Sequence, residues 1–183
     1  MEYFSLKSGE HTGRLRLPAP AVLANKKLLT KEQAGQRDDM NLVMQAGGST
    51  ERYADVITSP VCLVSNEIKE LFAKYDKTLI FKACRIIREK RQDQALYWLL
   101  GVEELDCLAA SAVFYPDKRI KHLVLDPAKI GNKPIFKLAE TLEMFLVVRL
   151  DVAESLLRRL TYGIELKRIA TEGEEIEDEQ GPV

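Results

Sequence analysis

Two patterns of apolar residues alternate along this chain: short unbroken runs, and pairs spaced three and four apart between polar residues. VCLV (61–64) predicts a short apolar strand, and Ser65 follows it as a helix N-cap, its side-chain oxygen placed to accept a bond from an unpaired backbone N–H. Ile68, Leu71, Phe72 and Tyr75 then fall on one helical face, and TLIFKACRII (78–87) predicts a strand. Near the other end FLVV (145–148) predicts a strand, and Asp151 with Glu154 three residues on forms a capping-box-like start. Val152, Leu156 and Leu160 share the face of the helix that follows. Gly163 suits the left-handed turn that ends such a helix, and IELKRI (164–169) is the exit strand. The two stretches look like copies of one strand–helix–strand unit, or an accidental likeness of two amphipathic segments.

Strand signals dominate between them. ALYWLLGVEEL (95–105) is densely apolar, and SAVFYPDKRIKHLVLD (111–126) reads as two strands joined at YPDK, where Pro116 and Asp117 suit a tight turn. A turn at KIGNKP (129–134) leads into IFKLA. Before residue 55 the signals are weaker: EYFSLK (2–7) and RLRL (14–17) read as strands, 21–37 has weak helical spacing, and AGGSTERYAD (46–55) reads as a loop. These pieces predict an α+β fold, a mainly antiparallel sheet with a few amphipathic helices packed on it. Residues 1–54 form a segment of uncertain packing, 55–171 the main domain, and 172–183 an acidic, disordered tail.

With 183 residues, 30% charged and 46% hydrophobic, the chain has ordinary globular proportions and room for one sizeable core. Its formal charge of -1 hides an asymmetry. Six of the 28 acids lie in the last twelve residues, which hold no Lys or Arg, so residues 1–171 carry 22 acids against 27 bases, a formal +5. No apolar run reaches the roughly 18–20 residues of a membrane span, and MEYFSLKSGEH lacks the features of a signal peptide, so a cytoplasmic location is expected. Cys62, Cys84 and Cys107 sit singly in apolar surroundings, as reduced buried thiols do.

LDCLAAS (105–111) brings an acid, a thiol and a hydroxyl together, as a hydrolase site would. A Cys107 or Ser111 nucleophile needs a base, and only His11 and His122 offer an imidazole; neither is tied to that string by a motif. No spacing of Cys and His suggests zinc, and no GxGxxG or GxxxxGK[ST] suggests a phosphate loop, so no metal and no cofactor is expected. Basic residues gather in KACRIIREKRQ (82–92) and DKRIKH (117–122) without the interleaved aromatics of a nucleic-acid module. Phe81, Tyr97 and Trp98 read as core.

The series SPVCLVSNEIKELFAKY, ALYWLL, LDCLAAS, IKHLVLDPAKIGNKPIFKL and FLVVRLDVAESLLRRLTYGIELKRI resembles the bacterial immunity proteins of polymorphic toxin systems over residues 55–169. The residues that carry the likeness are Val64 and Ser65, Tyr97, Asp106 with Cys107 and Leu108, Ser111, Phe136, and Gly163 with Ile164. The chain departs from that pattern at Ala109, where an acid is common, and at Arg149, Leu150 and Asp151, where a serine cap is usual. The resemblance implies a stoichiometric inhibitor of a cognate toxin and not an enzyme. Under it LDCLAAS is a structural turn, with Cys107 buried and Asp106 and Ser111 bonding backbone, while Ser65 and Gly163 keep their roles at the helix ends. The hairpin residues Tyr115, Asp117, Lys118, Arg119 and Lys121 are the candidate toxin contacts, one aromatic among charges at an exposed turn. A hydrolase or transferase using Cys107 or Ser111, and a nucleic-acid binder using the basic strands, remain as alternatives, and self-association is left open.

Overall fold

The computed structural model describes residues 1–9, 14–16, 29–30, 32, 42–47, 53–58, 61–88, 93–139, 141 and 145–173. Their elements run β1 (Tyr3–Ser8), β2 (Arg14–Arg16), β3 (Leu29–Thr30), β4 (Leu42–Gly47), β5 (Val56–Ile57), β6 (Leu63–Val64), α1 (Asn66–Tyr75), β7 (Ile80–Arg88) and β8 (Asp93–Val102). There follow β9 (Glu104–Leu105), β10 (Val113–Phe114), β11 (Ile120–His122), β12 (Val124–Leu125), α2 (Pro127–Ile130), β13 (Ile135–Leu138), β14 (Leu146–Arg149), α3 (Leu150–Arg158) and β15 (Ile164–Thr171). The fold is α+β, and antiparallel pairing dominates it.

One sheet has the order β12-β15-β1-β14-β13-β9, the second β2-β4-β7-β8-β6-β5 with β3 beside β8, and β10-β11 stand apart as a two-stranded ribbon. The two large sheets share a connectivity. In the first, β15 lies between a parallel β12 and an antiparallel β1, which pairs antiparallel with β14, and β14 with β13. In the second, β7 lies between a parallel β4 and an antiparallel β8, which pairs antiparallel with β6, and β6 with β5. Common wiring is a fact of pairing and does not make the two sequences copies. It does give β1, from the chain's start, the place that β8 takes in the second sheet.

The strands alternate between apolar clusters on their two faces, which is why VCLV and FLVV read as unbroken apolar runs. The central cluster joins Ile68, Leu71 and Phe72 of α1 and Val152, Ala153 and Leu156 of α3 to Leu6, Val64, Leu100, Leu146 and Val148 of both sheets. Behind the second sheet lie Cys84, Ile86, Tyr97 and Leu99 with Tyr53 and Val61, and the Tyr97 hydroxyl donates to the Ala54 carbonyl at 2.9 Å. Behind the first sheet, Tyr3, Phe136, Val147 and Ile169 meet Cys107, Leu125 and Ile130. The helices touch through Tyr75, whose hydroxyl donates to the Asp151 carbonyl and bonds the Ser155 hydroxyl. The sheets are tied where β1 ends: Ser8 and Thr58 exchange backbone-to-hydroxyl bonds, and the Tyr162 N–H donates to Asp55 Oδ2 at 2.6 Å. Among the described residues no helix is long and apolar enough to cross a membrane.

Three expectations change. Of the helix suggested over 21–37, Glu32 is helical but Leu29–Thr30 form β3, drawn into a parallel pairing with Gly101–Val102; most of that run, like His11, residues 89–92 and the tail after Gly173, lies outside the described residues. Asp151 is not the N-cap of α3, although its Oδ1 accepts from the first-turn Val152 N–H at 3.0 Å. The N-cap is Arg149, which makes no side-chain capping bond; Asp151 sits inside the first turn, bound by the Arg149 guanidinium at 2.7 and 2.8 Å, and Glu154 bonds Arg158. Gly163 is left-handed as expected, but α3 has already ended, with Leu160 taking a left-handed backbone three residues earlier.

Candidate partner-binding site

The ribbon β10–β11 is built by its turn. Tyr115 and Arg119 close a three-residue loop: the Tyr115 N–H donates to the Arg119 carbonyl at 2.8 Å and the Lys118 N–H to the Tyr115 carbonyl at 2.9 Å. Pro116 supplies the fixed φ of the first turn position, and Lys118 takes the left-handed backbone (φ 65) that closes such a loop. Asp117 accepts from both the Arg119 N–H and its guanidinium, which holds the Asp117 carboxyl below its ordinary pKa. The guanidinium also stands 5.7 Å from the Tyr115 ring centre, so the candidate contacts Tyr115, Asp117, Lys118 and Arg119 form one exposed tip, with Lys121 exposed on β11 below them.

The residues that sequence reasoning passed over stand beside this tip. Val113 and Phe114 are 43% and 45% exposed and Tyr115 46%, a continuous bulky apolar run at a strand that, among the described residues, pairs with β11 alone. SAVFY carried the signal, since three large apolar residues in a row on a short two-stranded ribbon cannot all be buried by it.

LDCLAAS lies below the ribbon. Cys107 is fully buried and pushed up to about 11, chiefly by burial, with the Asp106 charge adding to it. Burial likewise raises Cys62 and Cys84 to about 12. Such thiols stay protonated near neutrality and are poor nucleophiles. The main chain holds this segment: the Ala109 N–H donates to the Val124 carbonyl, the Asp126 N–H to the Cys107 carbonyl, and the Ala112 N–H to the Ala109 carbonyl. Asp106 and Ser111 are exposed, and among the described residues neither side chain makes a hydrogen bond, which corrects the expectation that they bond backbone. The Ala109, Ala112 and Asp126 N–H groups already have main-chain partners, and the two side chains face outward. His122 pairs across the ribbon with Val113, and no hydrogen bond joins it to Cys107 or Ser111.

Ser65 caps α1, its hydroxyl accepting from the Ile68 N–H. Among the described residues no group of three or more His, Cys, Asp and Glu could hold a metal ion. The basic segments part company: 82–88 lies on β7 of the second sheet and 118–122 on the ribbon. Compared with protein-family models and with curated proteins, the chain matches none.

Proposed function

We propose that this protein is a cytoplasmic immunity protein that neutralises a cognate toxin by stoichiometric occlusion, with the β10–β11 ribbon as its main contact. The observation that carries the reading is the exposed Val113-Phe114-Tyr115 run on a ribbon separate from both large sheets, bordered by Lys118, Arg119 and Lys121. Interfaces draw most of their energy from a few aromatic and arginine anchors inside a polar rim, and this tip has that composition. The resemblance over residues 55–169 supports the same class. Burial of all three thiols weighs against a Cys107 enzyme.

Affinity capture from lysate of the producing cells, with wild type and a Phe114→Asp/Tyr115→Ala variant side by side, tests the proposal. The expected result is one stoichiometric protein held by wild type and lost with the variant. Equal retention by both, or recovery of nucleic acid that elutes steeply with salt, overturns it.

A further inference from the structure

The ribbon holds more bases than its own acid can answer. Asp117 is taken up by Arg119, and among the described residues the exposed Lys118 and Lys121 pair with no acid. Elsewhere Arg158 is answered by Glu154, Arg168 by Glu2 and Lys137 by Glu104. The unanswered charge borders the exposed Val113, Phe114 and Tyr115, so an acidic segment complements this tip.

The chain carries such a segment. Residues 174–183 hold Glu174, Glu175, Glu177, Asp178 and Glu179, with no Lys or Arg. They leave the fold beside the strand that continues the ribbon: the end of β15 pairs with β12, and the Glu172 N–H donates to the Leu125 carbonyl at 2.8 Å. Because β12 and β15 run parallel and the ribbon precedes β12, the chain must turn back after β15 to reach it. Glu172 and Gly173 form a turn there, and Gly173 takes a left-handed backbone (φ 93). A Cβ on Gly173 would meet nothing within 4 Å, so the glycine serves the conformation of the turn and not a close approach. Reach is sufficient. Leu125 to Lys118 is about 23 Å of extended chain, and residues 174–183 span up to about 33 Å.

We infer that residues 174–183 fold back over β10–β11 in the free protein, with their acids against Lys118, Arg119 and Lys121. A segment of this composition has no core of its own and follows a surface that neutralises it. The role this gives the tail rests on the function proposed above: it is a tethered competitor that screens the ribbon from weak anionic ligands, and a partner displaces it with a better matched acidic surface.

A nitroxide on Gln180→Cys of the full chain tests the contact, since the three native thiols are buried and stay unlabelled. With no partner present, at about 20 mM salt, the amide NMR signals of Tyr115, Lys118 and Lys121 are expected to broaden relative to the reduced label and to recover at about 500 mM. Lys118→Gln/Arg119→Gln/Lys121→Gln should abolish the broadening with an unchanged melting transition. Signals that never broaden, or that broaden equally in the triple variant, overturn the inference. The partner isolated by affinity capture should bind the chain with its five tail acids changed to amides several-fold more tightly than wild type, and equal or weaker binding overturns the competitor role. The label measurement contains no partner, so its failure leaves the toxin contact standing, and a failed capture leaves the tail contact standing.

Discussion

Cys62, Cys84 and Cys107 are each buried in a different apolar cluster, and the same cause, loss of water around the thiolate, raises all three pKa values. In native protein at about pH 8 none should react readily with a thiol reagent such as Ellman's, and all three should react once the chain is unfolded in urea. One fast native thiol would contradict the packing given for its cluster. Asp151 is shifted the other way: bonds from the Arg149 guanidinium hold its carboxyl low against the opposing effect of burial. A depressed acid contributes stability that is complete above its unfolded pKa, about 3.9, and is lost as pH falls through the folded value. Asp151→Asn should therefore lower the urea midpoint at about pH 7, and the gap from wild type should narrow toward about pH 3. A gap constant with pH would mean the carboxylate charge plays no part.

At the scale of elements, α1 and α3 show what a sequence reveals and what it conceals. Ser65 was legible as a cap because a hydroxyl before an amphipathic run has a local job, and Ser65→Ala should cost about 1 kcal/mol in chemical denaturation. Asp151 misleads because it has the chemistry of a cap two positions too late; Arg149 takes the cap, with its guanidinium held by its near neighbour Asp151 and by Asn132 Oδ1 at 2.6 Å, the second a partner that the fold brings in. The periodicity puts Leu160 on the helix face, since spacing cannot sense a backbone that has already turned left-handed. A left-handed leucine costs about 1–2 kcal/mol per residue, so Leu160→Gly should stabilise the protein by up to about 1 kcal/mol after the entropy of glycine is subtracted. Destabilisation by that change would mean the leucine is held by contacts within the monomer.

For the whole molecule, the α+β class was legible but the place of β1 was not. Its partners Leu146–Arg149 and Ile164–Ile169 lie more than a hundred residues away, and no local pattern encodes that pairing. The strand fills the centre of the first sheet, with Tyr3 and Leu6 buried in two different clusters. Removing residues 1–9 should therefore abolish cooperative thermal unfolding of the chain, and a truncated protein with an unchanged melting transition would show β1 to be dispensable. The candidate site was half legible: YPDK marked the turn and its charges, while the exposure of Val113 and Phe114 depends on the ribbon standing clear of both large sheets. Inhibition through that ribbon is the central claim. Its most direct test is growth of cells expressing the toxic domain of the captured partner together with either wild type or Phe114→Asp/Tyr115→Ala, with both proteins shown to be folded by their melting transitions. Growth rescued by wild type and not by the variant is the predicted result; rescue by both, or by neither, would contradict it.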